Sequence, residues 1–287
     1  MKIDLHIHTK TGSDGAMTVE DVFREAKRRN ISFMSITDHD SIDAQQKAIA
    51  LARDYGIRYI TGIELNVTFS PGQGKALSLD FLGYGYDINN RALVEKLRLL
   101  REHREWRARE IMRKVNVELE KERLSPLTEE DMQNITENVD GTLGRPHIAA
   151  YLVEKGIVNS VQEAFDTYLV KCDVPKYALT LPEASQLIRN AGGVLVLAHP
   201  NDPHGTSLVS FSKELAQQMK LIEEKMLGYI DGIECWHSRH DRRTISKYLD
   251  FAKKHNLITT GGSDCHQKPV IMGTVRIPSF VSDHFKK

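Results

Sequence analysis

Two histidines, His6 and His8, stand two residues apart in the opening stretch "MKIDLHIHTKTGSDG". On an extended strand, residues at i and i+2 share a face, so both imidazoles can reach one metal ion. That pair alone is a weak signal. Its weight comes from six further residues of ligand type: Asp14, His39, Glu64, His199, Asp264 and His266. Asp14 lies in the turn after the first apolar run. The others close the runs "SITDHD", "YITGIE", "VLVLAHP" and "ITTGGSDCH", and Asp264 and His266 repeat the i, i+2 spacing. Imidazole and carboxylate without thiolate suit Zn²⁺, Mn²⁺ or Fe²⁺. Eight donors exceed the roughly four to six positions of one ion, which implies two or three ions with a carboxylate such as Glu64 bridging. Ions about 3.5–4 Å apart form a clamp for phosphoryl chemistry.

The elements that must position these residues are short apolar runs alternating with helical segments. The runs are "KIDLHIH" (2–8), "ISFMSITDH" (31–39), "IRYITGIE" (57–64), "LSLDFLGY" (77–84), "GVLVLAHP" (193–200), "IDGIECW" (230–236) and "LITTGGSD" (257–264). Capping signals mark helices at 18–29, 41–55, 182–191 and 240–255. Strand–helix alternation with near-continuous apolar strands predicts an α/β protein with a parallel sheet, and this many strands predict a barrel. All strand C-termini of a parallel barrel lie on one rim, where active sites are built. The ligand-type residues fall at that end. Residues 87–181 break the rhythm. A long amphipathic helix is predicted at 89–123, with shorter ones at 128–136, 145–155 and 160–170. The reading is thus a discontinuous barrel domain, 1–86 and 182–287, interrupted by a helical insertion. The tail "GTVRIPSFVSDHFKK" reads as a last strand and a loose end.

Composition narrows the function classes. Lys+Arg and Asp+Glu are both 39 in 287 residues, so bulk charge does not point to a general nucleic-acid or membrane-surface binder. No run approaches the roughly 18–20 apolar residues of a membrane span, and the N-terminus shows no signal-peptide pattern. Cys172, Cys235 and Cys265 are odd in number and far apart, which favours a reducing cytoplasm over a disulfide framework. No protein partner is evident.

The motifs "DLHIHT", "ITDHD", "GIE", "LAHP" and "GSDCH", in that order, resemble the PHP (polymerase and histidinol phosphatase) family over about 1–86 and 182–275. Within it the chain looks most like the nucleotide phosphatases with a helical insertion after the "LGYGYD" segment. The resemblance implies a distorted seven-stranded (β/α) barrel and a trinuclear site. His6, His8, Glu64 and Asp264 would hold one ion. Glu64 would bridge to a second, which also takes His199. Asp14, His39 and His266 would hold the third. In many relatives a histidine lies two residues before "LGY" and binds the second ion; here "LSLDFLGY" has Asp80. Aspartate has shorter reach and added negative charge, which tilts the expected metal towards Mn²⁺ or Fe²⁺ over Zn²⁺.

Phosphate recognition is expected from "GTLGRPHIAAYL", where Arg145 offers a planar fork and His147 and first-turn N–H groups add donors. In "CWHSRHD", His237 and His240 are candidates for phosphate contact or leaving-group protonation, and Arg239 a weaker one. The span 89–123 carries eleven Lys/Arg against seven Asp/Glu, but pairs such as Glu105–Arg109 read as a solvated helix face. Trp106 and Tyr151 could stack on a base or pack in a core. The resulting expectation is a metal-dependent phosphomonoesterase on a small nucleotide, adenosine monophosphate (AMP) or a nucleoside 3′,5′-bisphosphate. A hydroxide between two ions would attack, with Glu64 bridging, Arg145 neutralising phosphoryl oxygens and His240 as the proton donor. The alternatives are a phosphodiesterase or 5′–3′ exonuclease on short oligonucleotides, a histidinol-phosphate phosphatase, and a non-catalytic metal- or nucleotide-binding module.

Overall fold

The apolar runs form strands because their β-branched and aromatic residues pack on both faces. A computed structural model describes residues 1–72, 76–137 and 143–286. Its contacts divide the chain into two units, residues 1–94 with 178–287, and residues 95–177. The strands are β1 (Ile3–Asp4), β2 (Phe33–Met34), β3 (Arg58–Tyr59), β4 (Gly62–Phe69), β5 (Leu77–Tyr84), β6 (Val194–Leu197), β7 (Gly232–His237) and β8 (Ile258–Gly262). They make two sheets, β1-β2-β3 and β4-β5-β6-β7-β8. The ladders do not run continuously from one sheet to the other. Isolated parallel bridges, Ile7–Cys265 and His39–Glu64, connect residues beyond β1 and β2 to the second sheet.

The helices of the first unit are α1 (Val19–Arg28) and α2 (Gln45–Tyr55). The chain then forms α3 (Arg91–Lys121), α4 (Glu129–Glu137), α5 (Arg145–Glu154) and α6 (Val161–Ala164), the last running into a π-turn at Phe165–Leu169. Back in the first unit come α7 (Leu181–Asn190), α8 (Leu215–Lys225) and α9 (Arg242–Lys254). Thr18, Thr180 and Asp241 each accept a first-turn N–H and so fix where α1, α7 and α9 begin. Ile7, Val22, Phe23, Met34, Ile36 and Ala48 share one buried core. The helical unit has its own, built on Ile111, Val115 and Leu119 of α3 with Ile148 and Leu152 of α5.

Three expectations are corrected. The sheet is mixed, because β5 pairs antiparallel with both β4 and β6. The run 57–64 is two strands, and the second continues to Phe69: Leu65, Val67 and Phe69 alternate inward, and Pro71–Gly72 follow as a turn signal. Residues 279–285 form a 3₁₀ helix rather than a strand. Phe285 packs its ring 6.1 Å from Phe33 and 5.6 Å from Tyr84. Helix α8 was not expected. The regular part of β1 is also short, yet residues 5–8 stay pinned by backbone bonds: Leu5 N–H to Gly261 O, Thr37 N–H to Ile7 O and His8 N–H to Cys265 O. His6 and His8 therefore sit on a held segment.

Candidate metal centre

The elements bring the predicted donors into one cluster, in which His6, His8, Glu64, Asp80 and His199 are buried, His39, Asp264 and His266 half-buried and Asp14 exposed. His6 Nε2 lies 3.2 Å from Glu64 Oε2 and 3.3 Å from Asp264 Oδ1. His8 Nε2 lies at the same two distances from the same two oxygens. A tetrahedral ion with ligand bonds of about 2.0–2.1 Å separates its ligands by roughly 3.3 Å, so this quartet has the spacing an ion needs. His8 Nε2 and Asp264 Oδ1 are buried with no hydrogen-bond partner. Such orphaned atoms are costly unless something binds them.

Glu64 is fully buried and faces four imidazoles. Besides His6 and His8, its Oε2 is 3.2 Å from His39 Nδ1, and its Oε1 is 2.9 Å from His199 Nε2. One set of potential donors is Glu64, Asp80 and His199, and another is His8, Asp14, His39 and His266. In the second of these, Asp14 Oδ1 lies 3.3 Å from His266 Nε2 and 3.8 Å from His39 Nε2. Asp202, His237 and Asp264 also come together. Asp80 is held on both oxygens: Asn66 Nδ2 donates to Oδ1 at 2.7 Å, and the Thr206 hydroxyl donates to Oδ2.

The charges explain why a cation suits this place. Burial pushes the Glu64 carboxyl up, but the facing imidazoles of His6 and His39 and hydrogen bonds from His199 and His6 outweigh it and hold it well below the usual range. Asp264 is low for the same reason. Burial alone would lower His199, yet its hydrogen bond to Glu64 lifts it to about 10, and His266 rises to about 9 through Asp14. The carboxylates demand positive charge that only protons or cations can supply. Burial, followed by the nearby charge of Glu64, pushes Asp80 up to about 7.

The PHP domain profile matches residues 4–260. The chain belongs to the PHP domain family. It is 30% identical over 269 residues to a 3′,5′-nucleoside bisphosphate phosphatase of Chromobacterium violaceum, covering 92% of this chain and 87% of that protein. It is also 30% identical over 273 residues to the 5′-3′ exoribonuclease Rnm of Escherichia coli, covering 92% and 85%. A solved structure from Bifidobacterium adolescentis, assigned as a metal-dependent phosphoesterase, superposes with a TM-score of 0.72 at 25% identity, covering 98% of this chain and 94% of the other. This PHP protein is a metal-dependent hydrolase of phosphate esters.

The remaining candidates of the PHP chain are placed differently. His237 is buried, with Nε2 3.3 Å from Asp264 Oδ2, and its Nδ1 accepts from Arg239 N–H. His240 is also buried. Its Nδ1 is 3.0 Å from Cys235 O, and its Nε2 accepts from Asn201 N–H, so it is a neutral imidazole with both nitrogens engaged. Burial, then the neighbouring His237, lowers it to about 4. Its contact with Asn201 N–H holds the segment after His199. Arg239 reaches Asp202 Oδ1 at 3.4 Å. In the helical unit, Arg145 opens α5 with Nη1 3.0 Å from Asp173 Oδ2, and His147 Nδ1 accepts from Gly144 N–H. Gly141 and Thr142 of the same motif lie outside the described residues. Tyr151 is core, donating to Asp131 at 2.6 Å, whereas Trp106 is half exposed.

The buried acids that the sequence reading did not single out include Asp4, Asp38 and Glu234. Asp4 accepts from Ser263 N–H and Gly273 N–H and so ties the segment after β8 to β1. Asp38 accepts from the Thr9 N–H and hydroxyl. Glu234, on β7, accepts from His199 N–H and faces His6 Nδ1. Asp4 was detectable, because the i, i+2 rule that pairs His6 with His8 also places Asp4 on their face.

Among the described residues no helix is long and apolar enough to cross a membrane.

Proposed function

We propose that this chain is a phosphomonoesterase acting on a small nucleotide, AMP or a nucleoside 3′,5′-bisphosphate, at a centre of two or three divalent ions (Mn²⁺, Fe²⁺ or Zn²⁺). The observation that carries it is Glu64, one carboxylate reaching four imidazoles from otherwise separate donor sets. In this reading His6, His8, Glu64 and Asp264 hold one ion. Glu64, Asp80 and His199 hold a second, and Asp14, His39 and His266 a third. Bound divalent ions supply Lewis-acid charge and a nucleophile available at neutral pH. The chain's residues fix where that charge sits: Glu64 spans two donor sets, and His237 holds the outer oxygen of Asp264. The two bridged sheets are read as the parts of a distorted seven-stranded barrel, and the helical segment as the substrate-serving insertion. Arg145 and His147 are its phosphate-binding candidates, with Arg145 exchanging Asp173 for substrate.

The substrate class rests on the bisphosphate phosphatase relative. The Escherichia coli relative supports the second reading, 5′–3′ hydrolysis of short oligonucleotides. A phosphate-release screen over AMP, a nucleoside 3′,5′-bisphosphate, sugar phosphates and a short oligoribonucleotide separates them. We expect the mononucleotides to be hydrolysed fastest, chelator treatment to abolish release, and Mn²⁺, Fe²⁺ or Zn²⁺ to restore it. Chelator-resistant release would overturn the metal reading. A preference for the oligomer would overturn the monoesterase reading.

Asp80 gives a separate expectation about metal choice. An oxygen donor in place of imidazole favours harder ions. Asp80→His should move metal content towards Zn²⁺ when the protein is loaded from an equimolar Mn²⁺/Zn²⁺ mixture, read by elemental analysis. Unchanged ratios would show that Asp80 only braces its neighbours through Asn66 and Thr206.

A further inference from the structure

Strand β7 pairs with β8 through a register shift between Glu234 and Trp236. In a regular strand, residues three apart face opposite ways, and a bulge re-aims one of them. Here Glu234 and His237 both reach the cluster, Glu234 beside His6 and His237 beside Asp264. Glu234 is fully buried, and both of its oxygens are used. Oε2 accepts from His199 N–H at 2.8 Å, and Oε1 lies 3.0 Å from His6 Nδ1.

The first of these contacts constrains the second. A backbone N–H can only donate, so Oε2 must be an acceptor. A carboxylate is an acceptor at its other oxygen too, so the hydrogen bond to His6 needs a proton on Nδ1. We infer that Glu234 is a positioning residue that keeps a proton on His6 Nδ1, so that Nε2, 3.2 Å from Glu64 Oε2, is the nitrogen whose lone pair a cation takes. The same side chain pins the backbone of His199, so one carboxylate aligns donors from two donor sets. Neutral imidazole binds metal through an unprotonated nitrogen, and the hydrogen bond at the other nitrogen decides which one that is. This inference rests on the metal centre proposed above, and it concerns a residue outside the three ligand sets.

Glu234→Gln is the discriminating substitution, because it keeps the shape and removes one acceptor. His199 N–H claims the amide oxygen, so the amide NH₂ faces His6 Nδ1. That nitrogen must then accept, which moves the ring proton to Nε2 and points an N–H at the metal position. Expected results are a loss of metal affinity of roughly 10–100-fold, typical of such supporting partners, measured by calorimetry with Zn²⁺. Ring ¹⁵N–¹H correlation spectra of the Zn²⁺-loaded wild type should show His6 protonated on Nδ1 and bare on Nε2. Glu234→Ala, which imposes no wrong donor and leaves room for water, should lose less affinity than Glu234→Gln. Wild-type protein with His6 bound through Nδ1 would overturn the inference, and so would wild-type affinity in a folded Glu234→Gln variant. The wild-type spectrum decides even if the variants fail to fold. Wild-type protein that binds no divalent ion would instead sink the metal centre itself, a result that cannot be mistaken for a failure at Glu234.

Discussion

Glu64→Ala is expected to lower phosphate release by about 10³-fold or more and to cost the protein at least one bound ion. The effect follows from how much of the cluster this side chain organises. Oε2 lies 3.2 Å from donor nitrogens of His6, His8 and His39, and Oε1 lies 2.9 Å from His199 Nε2. No neighbour can take its place. Asp264 already faces His6, His8 and His237, and Asp80 is held by Asn66 and Thr206. Bound metal contributes several kcal/mol of transition-state charge stabilisation, and each 1.36 kcal/mol is tenfold in rate. Losing the shared carboxylate should therefore cost about three decades. Glu64→Gln separates charge from shape: it retains the volume and one acceptor, and should still lose most activity. The checks are initial rates of phosphate release, metal per chain by elemental analysis, and circular dichroism to show that the fold survives. A folded Glu64→Ala protein with wild-type metal content and rate would rule out Glu64 as the shared donor.

The sequence showed the donors better than the framework that aims them. His39, Glu64, His199 and Asp264 each close an apolar run, and this recurrence at the same end of several runs is a pattern visible without coordinates. What failed were long-range pairings. The antiparallel placement of β5 depends on β4 continuing past Glu64 to Phe69, and a run that seems to end at a functional residue hides that continuation. His240 read as a candidate for phosphate contact or leaving-group protonation because "CWHSRHD" lies past a strand. Its burial comes from elsewhere, through Cys235 O and the loop at Asn201. Arg145 read as a free fork, yet its partner Asp173 is distant in sequence. Glu234 stood within an apolar strand, where an acid looks like an interruption. Its meaning depends on a bulge and on partners, His6 and His199, that lie on other strands' ends.

Gly262→Ala should be among the most damaging substitutions outside the donor set, and the reason is steric. A Cβ on residue 262 would lie 2.2 Å from His6 Cβ, 2.4 Å from His6 N and 2.7 Å from His6 Cα. Flexible side chains can swing away from such a clash, but backbone atoms cannot. His6 is fixed in place on both sides of the contact, by Leu5 N–H to Gly261 O and by Asp264 N–H to His6 O. Relief requires β1 and β8 to separate. That would break the edge contact on which Ile7 bridges Cys265 and would draw His6 away from Asp264. Overpacking a tight core commonly costs 1–3 kcal/mol; with backbone on both sides, about 3 kcal/mol or more is expected in urea unfolding, together with reduced metal affinity. Gly228→Ala is the control. An added Cβ there meets nothing within 4 Å, so its stability should stay within about 0.5 kcal/mol of wild type. If Gly262→Ala unfolds at the same urea concentration as Gly228→Ala and keeps its metal, then β1 does not lie against β8 at His6. The donors from the two ends of the chain would then have no shared framework to meet on.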